Sequence, residues 1–148
     1  MATTVENADL LDAMATAIRT ALAAVTDVDV QVEPRMVGAP TPPTIDMYPG
    51  DVSRGTEAEA FGLRGEFLFT VRARVATSDD MAQQDLLLAF MDDVNPLSLQ
   101  AALTDDVTLG GLADSLDCVD PTGYVLYPFA DELLVGFQFT CRVMRANS

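Results

Sequence analysis

Histidine, lysine and tryptophan are absent from the 148 residues, and cysteine occurs only twice. Without histidine there is no Ser-His-Asp triad, no Cys-His pair and no His-ligated zinc. Without lysine there is no Schiff base and no phosphate-loop lysine. Long apolar runs are missing too, and none approaches the roughly 18 residues that span a bilayer. Met1–Glu6 has neither a basic nor an apolar stretch, so no signal peptide is expected and the chain should stay in the cytosol where it is made. There Cys118 and Cys141 should stay reduced. They read as small core hydrophobes, since Asp117 and Asp120 flank Cys118 where a reactive thiolate would want a cation.

What is present is mostly acid. There are 23 acidic residues against 8 bases, all arginine, giving a net charge of −15. That balance argues against a duplex-binding surface, which needs clustered bases to displace counterions. The charge is also uneven. Residues 75–141 hold 12 acids and no base, while six of the eight arginines fall in the first 74 residues. Apolar residues at 49% suit an ordinary globular domain, and the length suits one domain over residues 1–148.

Periodicity predicts the elements. Residues 8–25 read as an amphipathic helix capped by Asn7, with Leu11, Ala15, Ile18, Leu22 and Val25 as the buried stripe and Arg19 on the wet side. Asp27–Glu33 alternates as a half-buried strand, and Thr44–Tyr48 suggests another. Residues 34–65 hold five of the eight prolines and five of the nine glycines, so Pro49–Gly65 reads as a long loop. Glu66–Thr77 is the clearest strand. A second helix capped by Ser78 runs to Met91, and Asn95-Pro96 reads as cap and first residue of a third through Leu103. Thr108–Gly111 is a turn, Leu116–Val119 a strand, and Glu132–Arg145 a final strand whose odd positions from Leu133 to Val143 face the core. The expected fold is α+β: a mixed or antiparallel β-sheet with two main helices packed on one face and a long loop between strands.

Chemistry is sparse. The pairs Asp79-Asp80, Asp92-Asp93 and Asp105-Asp106 sit near helix ends, and adjacent helical positions do not share a site. No stretch has EF-hand spacing, and no nucleophile has an activating neighbour. No enzyme activity, metal or cofactor is expected. Arg72, Arg74 and Arg142 lie on outward faces of the two core strands. They would form a row if those strands are neighbours, either covering apolar sheet surface or meeting the acidic block of a second copy. In the long loop, Phe61 and Leu63 are apolar while Arg54 and Arg64 can pair with acids, which points to a contact segment that orders on assembly.

The C-terminal half is similar to a known family. Asp93-Val94-Asn95-Pro96-Leu97-Ser98-Leu99-Gln100-Ala101-Ala102-Leu103 is followed by Asp106-Val107-Thr108-Leu109-Gly110-Gly111 and a closing strand, Leu134–Thr140. In this order the segments resemble the tail terminator (tail-completion or neck) proteins of long-tailed bacteriophages. The resemblance implies an α+β subunit that forms a homo-hexameric ring on the finished tail tube and stops its growth. The ring would join the tail to the head-tail connector or stopper, and genomic DNA would pass through it without sequence-specific binding. It implies no catalytic motif and a place in the virion after assembly in a bacterial cytoplasm. The competing readings are another connector component, such as a stopper or minor capsid protein, and a small cytosolic binding module whose loop and acidic face meet a cationic partner.

Overall fold

A computed structural model of the chain describes residues 7–25, 29–38, 43–50, 66–76, 81–92, 95–119, 121–129 and 132–145. Helix α1 spans Asn7–Val25, α2 Met81–Met91 and α3 Leu99–Thr104. Strands are β1 Gln31–Glu33, β2 Thr44–Pro49, β3 Glu66–Ala76, β4 Ala113–Cys118, β5 Thr122–Phe129 and β6 Glu132–Arg145. The fold is α+β with a mixed sheet, as the pattern implied. The sheet runs β1-β2-β3-β6-β4, with β5 also on β6. The β1–β2 pair is parallel and all other pairs are antiparallel.

The core lies between one sheet face and the helices. Phe67, Phe69, Val71, Ala73 and Val75 alternate along β3, and Phe137, Phe139, Cys141 and Val143 face the same way on β6. Against them pack Leu10, Met14 and Ile18 of α1, Leu87 and Phe90 of α2, and Leu99 and Leu103 of α3. A buried side chain of this size contributes about 1.5–3 kcal/mol, and the run of phenylalanines makes β3 and β6 the spine of the molecule. The α1 stripe begins earlier than its sequence pattern, at Leu10, and ends before Val25, which is exposed.

The second sheet face departs further from expectation. A half-buried sheet would leave it wet, yet Thr44, Asp46, Leu68, Thr70, Arg74 and Thr140 are all buried. Part of the reason is the segment after β1. Val37 places its N–H on Asp46 Oδ2 and its carbonyl against Arg74 Nη2, at 2.9 and 3.1 Å. Thr70 Oγ1 donates to Gly50 O, so a β-branched residue with a polar tip suits this covered face.

Three local expectations are corrected. Asn95 does not cap α3: its Oδ1 accepts from Leu97 N in a turn, and Ser98 is the cap, accepting from Ala101 N at 3.1 Å. The strand predicted over Leu116–Val119 begins three residues earlier. Strand β5 is an additional element, masked in the sequence by Pro121, Gly123 and Pro128. It and β4 lie end to end along one edge of β6, which pairs with β4 through its C-terminal half and with β5 through its N-terminal half. The expected cap Ser78 and the strand residues Asp27 and Val28 lie outside the described residues.

Candidate functional site

The arginines singled out in the sequence take up internal partners. Asp46, at the centre of β2, is fully buried. Its register partner Arg72 holds it with both arms of the guanidinium, Nε to Oδ1 at 3.0 Å and Nη2 to Oδ2 at 2.6 Å. Arg74 adds Nη2 to Oδ2 at 3.2 Å, and the Val37 N–H donates to the same oxygen. The planar fork suits this bidentate grip, and the contacts satisfy a carboxylate that could not otherwise be buried. The Arg72 guanidinium also lies over the Tyr48 ring, 5.2 Å from its centroid. Burial pushes the Tyr48 phenol above its ordinary value, opposed by Arg72 and Arg74 and aided by Asp46.

Strands β3 and β6 are neighbours, but the expected row of three arginines does not form. Arg142 lies opposite Leu68, four residues along from Arg72, and pairs with Asp117 of β4 at 3.2 Å on the surface. Arg19 and Arg35 are engaged too, on the Val32 carbonyl and on Asp12. The remaining candidates, Arg54, Phe61, Leu63 and Arg64, lie outside the described residues. Among the described residues no cluster of three or more acids or cysteines could hold a metal ion, and no helix is long and apolar enough to cross a membrane.

The turn Asp106–Gly111 is closely organised. The Asp106 carboxylate accepts from Thr108 N, Thr108 Oγ1 and Gly110 N at 3.0, 2.6 and 2.9 Å. The Thr108 hydroxyl first, then these backbone donors, hold the acid below its ordinary range. Leu109, Gly110 and Gly111 have φ of 49°, 71° and 96°. Two glycines take such values without strain, and Leu109 is kept there by burying its side chain in the core. Beside the turn, small side chains of α1 (Ala13, Ala17 and Ala21) face Ala101, Ala102 and Pro96 across a groove of about 720 Å³.

A second surface feature was not legible in the sequence. Leu126 and Leu133 of the β5–β6 hairpin are 54% and 46% exposed. By register they lie on the same side as the core residue Val135, so they continue the core face beyond its helical cover. Tyr124 Oη reaches Gln84 Oε1 of α2 at 3.4 Å. Three before and four after Gln84 on the same helix stripe stand Met81 and Leu88, both well exposed. Tyr124, Leu126 and Leu133 of the hairpin and Met81 and Leu88 of α2 are thus exposed apolar side chains on either side of the Tyr124–Gln84 contact, beside a strand edge. Alternation in β5 could have signalled it, had Pro128 not argued against a strand there.

No protein-family model matches the chain, and no curated protein matches it.

Proposed function

We propose that the chain is a structural ring subunit of a phage tail-neck junction, a tail terminator that caps the tail tube and meets the head connector. The observation that carries the reading is the bare apolar surface of α2 and the β5–β6 hairpin. Exposed apolar surface, where it is contiguous, marks protein–protein contact sites. β5 borders it, and edge strands invite pairing with another chain. The resemblance of residues 93–111 and of the closing strand supplies the kind of assembly.

The electrostatics set what the contact must do. Copies carrying −15 each repel over distances that salt screens to about 8 Å. Arg72 and Arg74 serve their own subunit's Asp46, so they are poor candidates for offsetting that repulsion between copies. Apolar burial, at roughly 25 cal/mol per Å², is a term that would offset it. The acidic block suits a lumen that passes DNA without retaining it.

Light scattering and electron microscopy of the protein, alone and with tail tubes, test the reading. Closed rings with an open centre support it; monomers under both conditions count against it. One observation favours a second reading, a small binding module: the groove between α1 and α3. A ligand that raises the melting temperature of a monomer, and is lost on Ala17→Leu, would support that alternative.

A further inference from the structure

The two cysteines that composition assigns to the core face each other across a strand pair. Cys118 on β4 is the register partner of Cys141 on β6, and their sulfurs lie 2.8 Å apart. The next residue along, Val119, donates its N–H to Thr140 O. Residues 119 and 140 therefore form the hydrogen-bonded pair, and 118 and 141 the non-bonded pair, where backbones approach to about 4.5 Å between Cα atoms. That spacing lies within the range a disulfide requires. Cys141 is fully buried, while Cys118, on an edge strand, is half-buried.

From this geometry we infer that Cys118 and Cys141 are an oxidisable pair that closes into a cross-strand disulfide in the folded protein. The oxidant is a small-molecule disulfide, RS–SR. Cys118, the accessible thiol, loses its proton to solvent and attacks one sulfur. The RS–SR bond breaks, one RS⁻ leaves, and Cys118 carries a mixed disulfide. Cys141 then gives up its proton and attacks Cys118 Sγ, expelling the second RS⁻. Two protein thiols are oxidised by two electrons, and one small disulfide is reduced to two thiols. Burial first, then the Cys118 contact, holds the Cys141 thiol well above its ordinary pKa, so the second step quickens as pH rises. The new bond ties the C-terminal half of β6 to β4 and closes the segment that carries β5 and the hairpin. The inference stands independently of the ring reading.

The test incubates reduced, folded full-length protein with oxidised glutathione at mildly alkaline pH, then unfolds it in iodoacetamide and weighs it. The expected product is lighter by about 2 Da, carries no alkyl group and holds no glutathione. Cleavage at acidic residues between 118 and 141 should then leave two peptides joined until dithiothreitol is added. Alkylation of both thiols, as in the untreated protein, overturns the inference. So does a glutathione adduct that persists on Cys118 while Cys141 is alkylated. The variant Cys141→Ala should trap that adduct. Should it fail to fold, the mass of the wild-type product decides alone.

Discussion

Asp46 shows how a single residue can reassign its neighbours. Read along the strand, Arg72 and Arg74 are polar positions on a wet face and free to meet another subunit. Read across the register, they are the two cations that allow a carboxylate to be buried. Asp46→Ala leaves both arginines without that partner, and the expected loss is about 3–5 kcal/mol in urea denaturation at an unchanged slope. Arg72→Lys gives up the bidentate grip and should cost about 1.5–3 kcal/mol. Arg72→Glu with Arg74→Glu would crowd three acids together, so the subunit itself should unfold rather than only its assembly weaken. The Tyr48 and Asp106 side chains both bear on pH dependence. The Tyr48 phenol is raised by burial, so its contribution is present below the ordinary value of 10.0 and lost as pH climbs through the folded value. Tyr48→Phe should flatten that alkaline fall in melting temperature. Asp106 is held low by Thr108 and Gly110, so its contribution is present above the ordinary carboxylate range and lost as pH falls through the folded value. Asp106→Asn should lower the melting temperature near neutral pH and shrink the acid-side loss.

At the scale of elements, the turn after α3 and the β5–β6 hairpin carry the sharpest tests. Gly111, at φ 96°, tolerates a side chain poorly, and Gly111→Ala should cost about 1–2 kcal/mol although nothing crowds the position. Leu126→Glu and Leu133→Glu alter bare surface, so the melting temperature should hardly change while any assembly weakens. Why some elements were legible follows from the same physics. β3 and β6 bury one continuous face of phenylalanine and valine, and period-two alternation over 11 and 14 residues is hard to mistake. The stripe of α1 was legible for the same reason. Strand β5 was not, because its proline and glycine argue locally for a loop, while pairing with β6 is a tertiary fact. Leu133 matched the core pattern and is exposed, because parity gives the face of a strand but not how far the helices reach along it. The register partnership of Asp46 with Arg72, like that of Cys118 with Cys141, joins residues 26 and 23 positions apart and leaves no local trace.

For the whole molecule, the open question is what covers the apolar surface of α2 and the hairpin. Net charge of −15 keeps copies apart, Arg19, Arg35, Arg72, Arg74 and Arg142 have partners within their own subunit, and the exposed side chains Leu126, Leu133 and Leu88 supply attraction of a kind that salt does not screen. Raising the salt should therefore favour assembly of the wild-type protein, by screening repulsion and leaving apolar burial intact. The most direct measurement is molar mass by light scattering, with electron microscopy of the same samples, for wild type and Leu126→Glu at low and high salt with tail tubes added. The account predicts closed rings on tube ends for wild type, strengthened by salt, and folded monomers for Leu126→Glu. Wild-type protein that stays monomeric and leaves tube ends bare at every salt concentration would contradict it.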